Sequence, residues 1–173
     1  EKAFEGDALA AYGSVNNGTE LAGRLRGARG PFVLALSAAT RDFGDYDVPG
    51  YVKSSRQRAL EASSGSDPAD DERGSVSNSF LDTQSLGAGV SYVGAFGFAG
   101  LAVRNQQATY GLLPEDDAQP FIDLDQTRYD ARAGVDLGGD VLKRLSGSVA
   151  YADYSHTEFE GPGEPGTIFD THG

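Results

Sequence analysis

The feature that most constrains this chain is a period-two alternation between apolar residues and residues that are small or charged. Successive side chains of a β-strand point to opposite faces, so this alternation predicts strands with one apolar and one polar face. Helical periodicity is nearly absent, and the sequence therefore predicts an all-β protein. The clearest segment has Tyr129, Ala131, Ala133, Val135 and Leu137 on one face, with Asp130, Arg132, Gly134 and Asp136 on the other.

The spacing of the strands predicts their arrangement. About seven strands are expected, at residues 7–15, 20–27, 32–43, 80–93, 97–109, 124–137 and 145–159. The connections 28–31, 94–96 and 138–144 are short, whereas 44–79, 110–123 and the segment from 160 onward are long, and only the turn at 16–19 breaks this order. Short turns at one end and long loops at the other are typical of an antiparallel up-and-down transmembrane β-barrel. We therefore expect a fragment of such a barrel.

The composition of the two faces favours a membrane over a soluble sandwich. A soluble β-sandwich packs large aliphatic side chains between its sheets, whereas the apolar face here is rich in alanine. Tyr92 at the short-turn side and Tyr129 at the long-loop side are expected in the interfacial aromatic girdles. The residues expected to contact outer-membrane lipid are Leu86, Ala88, Val90, Ala99, Leu101, Val103, Ala131, Ala133, Val135 and Leu137.

Charge and composition exclude several classes of function. The 173 residues include 14 basic and 26 acidic side chains, for a formal net charge of −12, which disfavours binding to nucleic acid. The absence of cysteine excludes disulfides and thiolate metal sites. Pro162 and Pro165 interrupt the glycine motif at 161–166, and Ser155 and His156 would point to opposite faces of a strand. We therefore expect no enzymatic activity and no required cofactor.

One strand carries a candidate metal site. His156, Glu158 and Glu160 share a face, at intervals of about 6.8 Å, and are expected to line the upper interior of the barrel. An imidazole and two carboxylates could contribute to a divalent cation site, although ordinary charge pairs in a wet lumen explain the same residues. The loop at 44–79 is expected to be extracellular and mobile. The carboxylates of its acidic run from Asp67 to Glu72 could bind Ca²⁺, or they could simply be hydrated on an exposed loop.

Several segments, taken in order and spacing, resemble the front half of the barrel in TonB-dependent outer-membrane receptors, most closely the subgroup assigned to zinc uptake. These segments are DYDVPG at 45–50, GSVSNS at 74–79, GAGVSYVG at 87–94, YGL at 110–112, RYD at 128–130, DYSHTEFEG at 153–161 and GTIF at 166–169. The family pattern usually continues after Tyr-Gly-Leu with Pro-Gly and a histidine-rich loop, whereas LLPEDD stands at 112–117 here, without histidine. The resemblance therefore implies zinc, another metal or a metal chelate as cargo.

The resemblance also implies the setting in the cell. Receptors of this family are barrels of about 22 strands in the bacterial outer membrane, filled by a plug domain and energised through the TonB complex. Residues 1–173 would be the N-terminal portion of the barrel, without the plug and the remaining strands. The alternatives are a passive porin or adhesin barrel, which has no energised step, and a secreted soluble β-domain that binds Ca²⁺ through its acidic loops.

Overall fold

The computed structural model describes residues 4–65, 72–113, 118–139, 141–164 and 166–173. Most of these residues lie in strands, which confirms the predicted all-β, antiparallel fold. The elements, in chain order, are β1 (Phe4–Gly13), β2 (Gly18–Arg29), β3 (Phe32–Phe43), β4 (Tyr46–Tyr51), α1 (Ser55–Ser63), β5 (Arg73–Val76), β6 (Leu81–Gly94), β7 (Gly97–Gly111), β8 (Phe121–Asp136), β9 (Arg144–Phe159) and β10 (Thr167–His172).

Eight strands form one meandering sheet in the order β1-β2-β3-β6-β7-β8-β9-β10. Every neighbouring pair is antiparallel, and the pairing within each is in continuous register. The prediction of seven strands missed β10, because this six-residue strand places both apolar and polar residues on each face. Within the described residues, β1 and β10 each pair on one side only, so the sheet is open and does not close into a barrel.

The short connections join the strands at one end of the sheet, as predicted. Between β2 and β3, Gly30 adopts a left-handed backbone conformation with φ of 58°. Gly97, which opens β7, has φ of 143°, and a β-carbon there would run into the carbonyl oxygen of Gly134 on the neighbouring strand. Glycine is therefore required at both places, because a side chain would be strained by the backbone conformation.

The long connection after β3 has structure of its own. Strands β4 and β5 form a separate two-stranded sheet, and α1 lies between them in sequence. The ring of Tyr51 lies against the guanidinium groups of Arg58 and Arg73, at 3.4 and 5.3 Å. Ser79 holds the two ends of this loop together, since its backbone N–H donates to Asp45 over 2.7 Å and its hydroxyl accepts from the Tyr46 N–H over 2.9 Å.

The predicted mobility of residues 44–79 stays a prediction. Asp67, Asp70 and Asp71, from the acidic run proposed for Ca²⁺, lie outside the described residues. Glu72, which ends that run, accepts a hydrogen bond from the backbone N–H of Ser77 over 2.8 Å. Hydrogen bonds and cation–π contacts, more than apolar packing, therefore organise this loop.

The main sheet is a single layer with almost no conventional core. Among the described residues, the buried hydrophobic side chains are Ala108, 7% exposed, and Ile122, 9% exposed, both near the long-loop end. No second sheet covers the apolar face within the described part of the chain, and Val135 and Leu137 are 43% and 46% exposed there. In a soluble sandwich, those side chains would pack between two layers. None of the described helices has the length and apolar character needed to cross a membrane.

Candidate functional site

One face of the eight-stranded sheet is apolar and exposed. Residues paired directly across antiparallel strands share a face, so the register defines rows of side chains that run across the sheet. Leu101 and Val149 in these rows are 63% and 68% exposed. One row is Phe4, Gly27, Leu34, Val90, Leu101, Ala131 and Val149, and the next is Gly6, Leu25, Leu36, Ala88, Val103, Tyr129 and Tyr151. We call this surface the outer face.

The apolar region of the outer face crosses these rows at a slant. On β1 it extends to Tyr12, whose row continues across the sheet to Asp123 on β8. On β8 it ends at Tyr129, six residues further along the strand than Asp123. The residues of β8 between these two on the outer face are Asp125 and Thr127, both polar. The boundary of the apolar region is therefore not perpendicular to the strands.

The angle of this slant follows from standard strand dimensions. Six residues span about 20 Å along a strand, and the five strand spacings from β1 to β8 span about 24 Å. The boundary therefore makes an angle of about 40° with the rows, and strands of closed barrels tilt by about 35–45° from the barrel axis. A slab of lipid perpendicular to such an axis would meet the sheet along a boundary with this slant.

Aromatic pairs mark both ends of the apolar region. Tyr92 lies on the outer face near the short turns, and its ring packs edge-on against Phe32 with the centroids 5.5 Å apart. Tyr129 lies at the opposite end, beside Tyr151, with centroids 6.4 Å apart. Tyr92 therefore lies at the short-turn end of the apolar region and Tyr129 at its long-loop end, which are the ends expected from the sequence.

The opposite face, here called the inner face, is polar, charged and concave. A concavity of about 970 Å³ is lined by residues from six strands, β1 to β3 and β6 to β8. Arg24 donates to Asp7 over 2.7 Å, and Arg128 contacts Asp130 at 2.9 Å. The arginines within the strands of the main sheet that share this face are Arg24, Arg26, Arg41, Arg104, Arg128, Arg132 and Arg144.

Sequence reasoning assigned this face to a wet interior but missed its arginines as a group. The spacing of Arg24 and Arg26 by two residues, which places both on one face, was the available indication. Their relation to Arg104 and Arg128 depends on the register of four strand pairs, β2 with β3 through β7 with β8, which a single sequence does not contain.

The predicted metal ligands are only partly brought together. His156 and Glu158 lie on the inner face of β9, and the His156 Nε2 atom is 3.3 Å from the Glu158 carboxylate. Glu160 lies beyond the end of β9, in a bend. Among the described residues, no three histidine, cysteine, aspartate or glutamate side chains are grouped closely enough to hold a metal ion. The structure therefore does not gather the three predicted ligands into one site.

The surroundings of His156 are those of a packed side chain. Its ring stacks on Phe169 of β10 with centroids 4.8 Å apart, and Tyr154 lies 5.5 Å away. Its Nδ1 atom is buried and has no hydrogen-bond partner within the described chain. The other histidine, His172, lies on the outer face, 2.9 Å from Asp153, and so does not complete a site with His156.

Comparison with known proteins does not assign this chain to a family. No protein-family model matches it, and no curated protein matches it.

Proposed function

We propose that this sheet is part of the wall of a β-barrel in the bacterial outer membrane, with lipid against the outer face and water against the inner face. The observation that carries this proposal is the exposed apolar region of the outer face, whose slanted boundary fits tilted strands in a flat lipid layer. Soluble monomers rarely expose contiguous apolar patches larger than a few hundred Å².

The energetics of the two faces support the same proposal. Apolar surface in water is unfavourable by roughly 25 cal/mol per Å². Leu101 and Val149 keep well over half of their surface exposed, and no described element covers them. Hydrocarbon would remove this penalty, whereas the ion pairs of the inner face, such as Arg24 with Asp7, suit water.

The role we propose for the complete barrel is energised import of a scarce nutrient as a TonB-dependent receptor. The ordered segments described above, from DYDVPG at 45–50 to GTIF at 166–169, support this class. A plug domain and a TonB-contacting segment would then belong to the same protein, and the cargo would be zinc, another metal or a metal chelate. Transport of this kind needs no covalent chemistry from the barrel.

Cysteine labelling tests the membrane orientation directly, because the sequence contains no cysteine. Leu101→Cys and Ala102→Cys are neighbours on β7 that face opposite sides, and Val149→Cys and Ser148→Cys form the same matched pair on β9. In outer membranes containing the full-length protein, a water-soluble maleimide should label Ala102→Cys and Ser148→Cys and spare the other two. Equal labelling of both members of each pair would contradict the barrel.

Uptake measurements separate the receptor from a passive porin. Zinc is the probe, and its accumulation is compared in cells that contain or lack TonB, each with and without the full-length protein. A receptor requires TonB for the additional uptake. Additional uptake that persists without TonB would contradict the receptor and support a passive barrel.

A further inference from the structure

The charged residues of the outer face are separated by sign. Among the described residues, its arginine and lysine are Arg29, which ends β2, and Lys143, which directly precedes β9, both at the short-turn end. Its carboxylates all lie at the opposite end, beyond the long-loop boundary of the apolar region, at Asp42, Asp82, Asp123, Asp125, Asp153 and Asp170. The apolar region therefore separates an acidic border from a basic one. We call the basic one, formed by Arg29 and Lys143, the short-turn border.

Cross-strand pairing places both cations on the outer face beside apolar side chains. Arg29 lies directly opposite Phe32, which in turn lies opposite Tyr92. Lys143 lies opposite Leu137, whose backbone N–H donates to the Lys143 carbonyl oxygen over 2.9 Å. Residues paired in this way share a face of the sheet. Each cation therefore lies at the edge of exposed apolar surface.

Within the described part of the chain, neither cation is engaged by a carboxylate. The side chains of Arg29 and Lys143 form no hydrogen bond or ion pair with any described residue. Asp136, which precedes the partner of Lys143 in the chain, points to the inner face, where Arg144 binds it. Both cations are exposed, so their charges are available to a partner outside the sheet.

The two cations lie at similar depth if the strands are tilted. Five strand spacings separate β2 from β9, and the row of Arg29 reaches β9 at Gly147, four residues from Lys143. The displacement of Lys143 is towards the short turns, the direction in which the long-loop boundary shifts by six residues over the same number of spacings. The remaining difference of two residues is about 5 Å along an axis tilted by about 40°.

The distance between the two borders fits a lipid layer. Thr19 of β2 shares a row with Tyr12, at the long-loop boundary, and Arg29 is ten residues further along β2. Ten residues span about 34 Å along a strand, or about 26 Å along an axis tilted by about 40°, and the apolar surface of outer-membrane barrels is about 25 Å tall. Arg29 therefore lies where hydrocarbon would give way to headgroups.

The chemistry of the short-turn border matches a phospholipid. Arginine and lysine lay their apolar stems along hydrocarbon and hold the charged group at the interface. A guanidinium donates two parallel hydrogen bonds to a phosphate, and a negative net charge on the headgroup adds attraction for both cations. A phospholipid supplies both the phosphate and the acyl chains that would cover Phe32 and Leu145, which are 57% and 60% exposed.

We propose that Arg29 and Lys143 bind the phosphate groups of anionic phospholipids at the short-turn border, with the acyl chains against Phe32 and Leu145. This inference rests on the proposed function, because it requires lipid against the outer face. Since the short turns of outer-membrane barrels are periplasmic, the bound lipids belong to the periplasmic leaflet.

Quenching by brominated lipids tests the site in the full-length protein. The protein is reconstituted in phosphatidylcholine bilayers that contain either dibrominated phosphatidylglycerol or dibrominated phosphatidylcholine. A bimane fluorophore at Leu145→Cys reports on Lys143, two residues away on the same face, and one at Leu34→Cys reports on Arg29 from the next row. Brominated phosphatidylglycerol should quench both more strongly. Lys143→Gln should reduce this preference at Leu145→Cys by about fivefold, as should Arg29→Gln at Leu34→Cys.

The matched control is Arg144→Gln, which removes the same charge beside Lys143 but on the inner face, and should leave the preference unchanged. Equal quenching by the two brominated lipids at both reporters would overturn the proposal and leave the barrel intact. Equal loss of preference in Lys143→Gln and Arg144→Gln would also overturn it, since only net charge would then matter. No quenching by either lipid would overturn the barrel as well.

Discussion

The outer and inner faces of the main sheet share one backbone but are stabilised in different ways. On the outer face, Leu101 and Val149 are exposed and contact no second layer among the described residues. On the inner face, charged side chains pair across strands, as Arg24 does with Asp7. A soluble protein buries one face of such a sheet against another part of itself. In the proposed barrel, each face would meet a different solvent, so the strands would need no conventional core.

The largest expected effect comes from placing a charge on the outer face. Val149→Arg puts a guanidinium in the apolar region, whereas Ala150→Arg puts one on the inner face, directly opposite Asp130. In lipid vesicles, Val149→Arg should lower the free energy of unfolding by about 2–4 kcal/mol. Ala150→Arg should change it by less than about 1 kcal/mol. Equal losses from the two variants, measured by denaturant titration, would remove the distinction between the faces.

The second-largest effect is expected beyond the apolar region, where the distinction between the two faces no longer applies. At the long-loop end, Asn78 is 7% exposed, has φ of 58°, and donates from its amide to the carbonyl oxygens of Leu112 and Pro120, both at 2.6 Å. Asn78→Ala should cost about 1–3 kcal/mol, because both carbonyls lose a donor. Hydrogen exchange should accelerate near Gly111, while exchange in the middle of β9 stays unchanged. If hydrogen exchange accelerated equally along the whole sheet, the long-loop end would not be stabilised separately from the middle of the strands.

A smaller effect on stability is expected from the two tyrosines at the long-loop end of the apolar region. Tyr129 and Tyr151 pack together, and aromatic pairs are worth about 0.5–1.5 kcal/mol beyond their buried area. A double-mutant cycle with Tyr129→Ala and Tyr151→Ala should give a coupling energy in this range. A coupling energy of zero would mean that the two rings act independently.

The smallest effect is expected from an exposed ion pair of the inner face. Arg144 donates to Asp136 over 2.5 Å, and the two side chains are 58% and 38% exposed. Exposed pairs of this kind stabilise a protein only weakly, and salt screens them. Asp136→Asn should therefore lower the free energy of unfolding by less than any of the changes above, and the loss should shrink at high salt. A larger loss that salt does not change would show that water is excluded from this part of the inner face.

The strands were predictable because most of them carry a run of alternating apolar residues on one face. The predicted segment 145–159 corresponds to β9, Arg144–Phe159, and 124–137 corresponds to β8, Phe121–Asp136. Strand β10 was missed because it has no uniformly apolar face, and β4, α1 and β5 were missed because polar contacts hold them. Period-two reasoning detects burial or lipid contact, and it fails where hydrogen bonds carry the structure.

The sites were less predictable than the strands. The sequence correctly placed His156 and Glu158 on one face, but Glu160 lies past the end of β9, where the alternation of a strand no longer applies. The slant of the apolar region and the position of Arg104 opposite Arg128 both depend on cross-strand register. Register is set by turns and pairings throughout the sheet, so it emerges only once the fold is known.

The depth of spin labels in the membrane tests the central claim most directly. Tyr12 of β1 and Asp123 of β8 share a row, whereas Tyr129 is six residues away from that row. With nitroxides attached to cysteines at these three positions of the full-length protein in lipid, oxygen and a nickel chelate report the depth of each. We predict equal depth at Tyr12 and Tyr129, with Asp123 in water. Equal accessibility at Tyr12 and Asp123, with Tyr129 different from both, would contradict tilted strands in a lipid layer.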